Sequence, residues 1–313
     1  MNKKIETQKI LSIGIPCFLG WTFAYLATNV FRNYAFGLFF WLPFVLGITS
    51  TLILSYKNTV ERKVIRNNAY LTLLIFCIGL LAFAWEGIIC LIMAMPIGII
   101  FTYLGFLFGH LLTKRNLTTK TPTIIILFML SVPTLMAFEN NLKESENTRF
   151  VKSSIEINAP AETVWKNVVE FPQLKEPTEF IFKTGIAYPI NATIVGQGVG
   201  AVRHCNFTTG SFVEPITVWD KPNLLKFSVE EQPEPMKEIS PYNIHPTHLH
   251  GYWVSKQGQF KLTSLPNGHT LLEGTTWYVN KIRPDFYWTT WSDYIVHKIH
   301  NRVLEHIKEQ AEN

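Results

Sequence analysis

Cysteine is scarce in this chain: four residues in 313, of which Cys17, Cys77 and Cys90 lie inside apolar runs and only Cys205 lies in the polar half. That distribution offers no disulfide framework and no zinc knuckle, and it leaves the compartment open. Acidic residues are scarce at the front. Up to Thr121 there are 3 Asp plus Glu against 11 Lys plus Arg, and beyond it 20 against 17. The formal charge of +5 is therefore a basic half joined to a mildly acidic one. Nucleic-acid binding needs basic residues on one folded, exposed face, whereas here they occupy short loops between apolar runs, so that function is excluded. No Ser/His/Asp or Cys/His nucleophile arrangement is legible, and Cys205 beside His204 reads as a core thiol with a chance neighbour. The glycine-rich VGQGVG opens a strand and not a helix, so it reads as a turn or bulge and not as a phosphate cradle. No cofactor motif and no established metal-ligand spacing is present, so neither a cofactor nor a metal is expected from motifs alone.

What is abundant is apolar residue, 48% of the chain with a mean hydropathy of +0.15, and it is concentrated in the first part. Five runs stand out: 10–30, 34–56, 69–85, 88–112 and 123–138. Each approaches the ~20 residues a helix needs to cross a bilayer, so residues 1–138 are predicted to form an all-α transmembrane bundle with the lipid bilayer as its partner. Lys3 and Lys4 give a basic start, but no small-residue cleavage site follows, so the first run is expected to stay as an anchor. The tail MNKKIETQKI and the loops YKNTVERKVIRNN and TKRNLTTK carry nearly all the basic residues, among them Lys9, Lys57, Arg62, Lys114, Arg115 and Lys120. Retention of Lys and Arg on the cytoplasmic side then gives an inner or plasma membrane protein, multi-pass, with a cytoplasmic N-terminus and an extracytoplasmic C-terminal domain. The third run is short, and its fusion with the fourth around WEGIICLIMAMP would leave four spans and reverse that location. Outside the basic tail and loops, Glu86 is the one acidic residue of this region. It reads either as an intramembrane functional carboxylate or as part of the turn between spans three and four.

After a linker over 139–149 the pattern changes from continuous to alternating. VKSSIEINA reads as a strand, PAETVWKNVVEF as a helix with Pro160 in its first turn, and PDFYWTTWSDYIVHKIHNRVLEHIKEQAEN as one long helix starting at Pro284. Between them, VGQGVGAVRHCNF, GSFVEPITVWD, LLKFSVEEQ, GYWVSKQGQFKLTSL and HTLLEGTTWYV read as strands separated by the turn signals FTTG, DKPN and LPNG. This order gives an α+β domain over 150–313, a curved antiparallel sheet around a long C-terminal helix.

The opening SIEINAPAETVWKNVVEFPQL resembles the first strand and helix of the START-like (SRPBCC) superfamily of polyketide cyclase/dehydrase and lipid-transport proteins. YWTTWSDYIVHKIHNRVLEHI resembles its gripping helix. With EGIICLIMAMP and GQFKLTSLPNGHTLLEGTTWY, the whole chain is similar to bacterial membrane-anchored SRPBCC proteins. The resemblance implies a helix-grip fold holding an apolar ligand between sheet and helix, and it does not select an activity.

The stretch NIHPTHLHGYW places His245, His248 and His250 within six positions. At 100° per residue, Ile295, Val296, Ile299, Val303 and Ile307 form the sheet-facing stripe of the last helix. Asp293, His297 and His300 lie together on its flank, bordering any cavity beneath, and His306 falls near the middle as a packed residue. One expectation joins the loop histidines to His297, His300 and Asp293 as a metal or acid/base site. The plainer one makes them the polar rim of a pocket mouth, hydrogen-bonded to carboxylates or to a ligand head group. Tyr252 and Trp288 are candidates for the apolar lining. Arg203 and Glu273 are candidate polar contacts, although alternation alone does not fix which face of the sheet each uses. The expected function is a membrane-tethered binding domain for an apolar or amphipathic small molecule, such as a lipid. The alternatives are an enzyme of cyclase/dehydrase or metal-dependent type built on the histidines, and a structural or signalling membrane protein whose protein partners the sequence does not name.

Overall fold

The computed structural model describes residues 3–114, 120–141 and 147–313. Contacts divide the chain into two units, Met1–Glu144 with Glu238–His248, and Ser145–Lys237 with Leu249–Asn313.

The first unit contains α1 (Lys3–Tyr25), α2 (Leu42–Leu54), α3 (Arg62–Ala82), α4 (Ile88–Lys114) and α5 (Thr121–Asn140). A π-helical turn, Leu26–Val30, extends α1, and another, Gly37–Trp41, leads into α2. With these turns counted, so that the second span runs Gly37–Leu54, all five are long and apolar enough to cross a membrane. The third and fourth apolar runs are separate helices, because the backbone turns at Ala84, φ 59, before Ile88 starts α4. Pro16, Pro96 and Pro133 sit inside α1, α4 and α5, while Pro43 lies at the start of α2, directly after the π-helical turn. Arg115 of the expected basic loop and residues 142–146 of the expected linker lie outside the described residues.

Helix α2 is the axis of this unit. Eleven of its 13 residues are buried, and it packs against α1, α3, α4 and α5. Small side chains permit this: Gly47, Ser50 and Thr51 keep the helix narrow. Polar side chains add hydrogen bonds between helices. The Asn68 amide of α3 donates to Ser12 Oγ of α1 at 2.9 Å and to Ser50 Oγ of α2 at 2.8 Å, and the Thr72 hydroxyl donates to Ser50 Oγ at 3.0 Å. Outward, Phe18 is 67% exposed and Leu127 63%.

The second unit is a seven-stranded antiparallel sheet ordered β1-β7-β6-β5-β4-β3-β2, with β1 (Thr148–Ile157), β2 (Pro189–Val195), β3 (Val202–Phe207), β4 (Gly210–Asp220), β5 (Leu224–Ser228), β6 (Trp253–Ser264) and β7 (Thr270–Asn280). Two helices, α6 (Ala161–Val169) and α7 (Asp285–Glu312), pack against one another, and α7 lies along β1 and β7. This is the expected helix-grip architecture. Two local readings need correction. Strand β2 was not foreseen, and it pairs with β3 across the VGQGVG turn, where Gly196, Gly198 and Gly200 adopt φ of +91°, +85° and +89°. Pro160 is the N-cap of α6 and not part of its first turn, its extended backbone leading into the helix.

Alternation assigns the faces. Val151, Ile157, Leu272, Val296, Val303, Leu304 and Ile307 are buried. A Cβ built on Gly274 would meet Leu304 of α7 at 3.7 Å, so Gly274 and its cross-strand partner Ser153 face the helix. Their neighbours Glu273 and Ser154 face away.

Candidate functional site

Beneath α7 the sheet presents two hydroxyls to two imidazoles. Ser153 Oγ lies 2.6 Å from His297 Nδ1 and 3.1 Å from His300 Nδ1. Thr276 Oγ1 lies 2.8 Å from His300 Nε2, and Val151, the cross-strand partner of Thr276, is buried. The i, i+3 spacing that put both histidines on the flank of the stripe thus turns them onto the inner face of β1 and β7. Burial, with His297 adding repulsion, lowers the His300 pKa to about 4. The ring is neutral at pH 7 and offers one donor and one acceptor to the two hydroxyls.

That shift fixes a pH dependence. Between pH about 6.5 and about 4 the unfolded chain binds a proton that the folded chain refuses, so stability falls as the pH falls through this window. The loss is expected to be on the order of 2 kcal/mol after allowance for partial exposure of the ring. Urea unfolding at pH 7 and pH 4.5 should show it in the native protein and show less of it in His300→Asn. Equal losses in both would remove His300 as the cause.

The other expected residues of this unit separate. Asp293 Oδ1 accepts the Tyr278 hydroxyl at 2.5 Å and Oδ2 accepts from Arg149 at 3.0 Å. Trp288 is buried near the start of α7, and Tyr252 contributes its carbonyl to Lys281 N at 2.7 Å. His250 is exposed, with Nε2 3.5 Å from Glu234. Glu273 lies on the outer face, where it accepts from Lys152 at 2.7 Å, so of the two polar candidates on strands it is the one turned away from α7. Arg203 is buried: its guanidinium pairs with Glu214 on β4, donates to Val169 O at the end of α6, and lies 5.4–5.7 Å from the ring centroids of Phe171, Phe227 and Phe260. His306 packs edge-on against Phe171 in the core, as its position on the stripe predicts.

The three loop histidines also part company. His245 is exposed, whereas His248 is buried in a short 3₁₀ turn, Thr247–Leu249, and belongs to the first unit with Glu238. There it meets Glu86 and Cys90. Glu86 does lie in the turn between α3 and α4, but its side chain is only 12% exposed. Cys90 is in the first turn of α4. Its sulfur lies 2.9 Å from His248 Nε2 and donates to Glu238 Oε1. His248 Nδ1 is 3.5 Å from Glu86 Oε2, and the Tyr34 hydroxyl donates to Glu86 Oε1 at 3.1 Å. Burial pushes Glu86 up to about 8, the Tyr34 hydroxyl opposing and the Glu238 carboxylate adding to the rise. Burial raises Glu238 as well, against the Cys90 thiol and the backbone N–H groups of Ile89 and Cys90. Gly87 makes room for it, since a Cβ there would sit 1.9 Å from Glu238 Oε2.

His248 and the His297/His300 pair therefore belong to different units and have different partners. Nothing local in the sequence joins Glu86 to the histidine loop. The i, i+4 spacing of Glu86 and Cys90 was the one local signal for the cluster, and the contact with residues 238–248 had none.

No family model matches the chain, and no curated protein does. Among solved structures the chain is similar to a norcoclaurine synthase point mutant from Thalictrum flavum bound to a transition-state analogue, at 13% identity over 54% of this chain and 97% of that one, TM-score 0.35. It is similar to a protein from Nitrosospira multiformis at 18% identity, over 52% and 95% of the two chains, TM-score 0.34. It is also similar to the Zhui aromatase/cyclase from a Streptomyces species at 14% identity, over 53% and 94%, TM-score 0.33. Each match spans nearly all of the solved chain and about half of this one.

Proposed function

We propose that the protein is a membrane-tethered binder of an apolar or amphipathic small molecule, such as a lipid, held between the sheet and α7. The observation that carries this reading is the patch of Ser153, Thr276, His297 and His300 beneath α7, which stands beside the buried side chains of Val151, Leu272, Val296 and Leu304. Few polar groups in an apolar wall are what orient a mostly apolar ligand by its head group. The five apolar helices with outward-facing Phe and Leu side chains suit a bilayer, which would be the reservoir of such a ligand. Retention of basic loops inside favours a cytoplasmic N-terminus and an extracytoplasmic second unit. The enzyme reading keeps one observation in its favour: the Ser153 hydroxyl lies within hydrogen-bond reach of two imidazoles, one of them held neutral.

Native mass spectrometry of the full chain released from detergent micelles tests the binding reading. An organic adduct at a stoichiometry of about one is expected, with affinity falling about tenfold in His300→Ala, the loss of about 1.4 kcal/mol expected for one hydrogen bond. A chain that carries no adduct and takes up none from added lipid extract would end it. Conversion of the added molecule, abolished in His300→Ala, would favour the enzyme.

A further inference from the structure

We propose that the first unit holds a structural zinc ion between Glu86, Cys90, Glu238 and His248. A thiol, an imidazole and two carboxylates are donors that zinc accepts, and four protein donors make a closed, non-catalytic site. Donor atoms of Glu86, Cys90 and His248 lie within 4.8 Å of one another, and Glu238 Oε1 touches the same sulfur. The residues come from three places, the turn before α4, the first turn of α4 and the 238–248 segment, so one ion would fix all three.

Charge supports the assignment. Of these side chains only the imidazole can become positive, and two buried carboxylates beside a thiol form a costly group unless a cation draws them together. A bare thiolate nucleophile is a poor alternative use of the same geometry. The order Cys90, His248, Glu86 resembles nucleophile, base and carboxylate, yet Glu238 sits against the sulfur where it would repel the thiolate. A divalent cation reverses that repulsion, because the thiolate becomes a ligand. The surroundings orient the donors as metal sites require. Tyr34 holds Glu86 through its hydroxyl, its ring packs edge-on against His248 at 5.2 Å, and backbone N–H groups at the start of α4 hold Glu238. The pairing of Ile88 N with Ile239 O at 3.0 Å anchors the segment that carries Glu238.

The test is metal analysis of the full-length protein purified in detergent without chelator, alongside Cys90→Ser, His248→Ala and the exposed control His250→Ala. About one zinc per chain is expected in the native protein and the control, falling at least tenfold in the other two. Cobalt(II) exchanged into the native protein should give a near-ultraviolet thiolate-to-metal charge-transfer band, which remains informative if a variant fails to fold. Zinc retained at full stoichiometry by Cys90→Ser would overturn the proposal. So would a native protein that neither carries zinc nor takes it up, a cobalt form without thiolate absorption, or a different d-block ion in the site.

Discussion

Replacing Arg203 by alanine is expected to destabilise the second unit by about 3–5 kcal/mol, because it leaves a buried carboxylate without its partner. Arg203 is 2% exposed and Glu214 8%. They are cross-strand partners on β3 and β4, so the pairing is set by register and not by a flexible surface contact. Burial raises the Glu214 pKa, and the Arg203 guanidinium is what opposes that rise. Without it, Glu214 must either ionise in an apolar core or take up a proton, and both cost stability. The guanidinium also donates to Val169 O, at the carbonyl end of α6, where a positive group is favoured by the helix dipole. Its flat face against Phe171, Phe227 and Phe260 adds cation–π attraction and packing. Arg203→Lys keeps the charge and loses the planar fork, so it should fall between native and alanine. The double change Arg203→Met with Glu214→Leu should recover most of the loss, since it removes both charges and keeps the volume. Urea unfolding of the full chain, followed by hydrogen exchange in peptides from β3 and β4, measures this. A loss below about 1 kcal/mol for Arg203→Ala would match a surface ion pair and would contradict the account.

The same residue shows where sequence reading stops. Alternation in VRHCNF says that Arg203 and Cys205 share a face, but the face becomes the inner one only through pairing with β4, where Glu214 stands opposite. Glu273 had the same alternation and went to the outer face, because its neighbours Leu272 and Gly274 are the ones that pack inward. Helix α7 and most strands were legible because their hydrophobic period extends over many residues. Strand β2 was not, since PINATIV offers seven residues with Pro, Asn, Ala and Thr among them, too short and mixed for a period to register. The five apolar helices were legible from length alone. The Glu86 cluster escaped for a different reason: Cys90 and His248 are 158 residues apart, and no local pattern encodes that meeting. Within H-x-x-H-x-H the spacing was informative only about crowding. The backbone exposes His245 and His250 and buries His248 alone.

Enlarging Gly105 or Gly47 is expected to destabilise the first unit, and the reason lies in how closely α2 and α4 approach. A Cβ on Gly105 would stand 2.1 Å from Phe44 O, and one on Gly47 would stand 2.3 Å from Thr102 O. Both obstacles are backbone carbonyls, which cannot rotate aside as a side-chain tip can. Gly109, four residues after Gly105, continues the same seam against Thr51 and Ile48, so GFLFG is a small-xxx-small contact of the kind that lets transmembrane backbones touch. In the bilayer proposed for these helices the lipid tails are as apolar as leucine, so this close packing and the hydrogen bonds it permits, not water exclusion, would hold the helices together. Moving α4 away would also strip the cover from α2, the helix on which the other four pack. Gly105→Ala should therefore cost about 1–3 kcal/mol despite its better helix propensity, and Gly105→Leu should cost more than that range. Gly14→Ala on α1, with nothing within 4 Å, is the control and should stay within about 0.5 kcal/mol or gain slightly. Maleimide labelling of Cys17, which is 1% exposed between α1 and its neighbours, reports opening of the bundle. The rate should rise in the order Gly14→Ala, Gly105→Ala, Gly105→Leu. If Gly105→Ala labels no faster than Gly14→Ala, the two backbones are not in contact there, and the association of α2 with α4 must rest on side-chain packing and the Thr102 hydroxyl's hydrogen bond to Pro43 O instead.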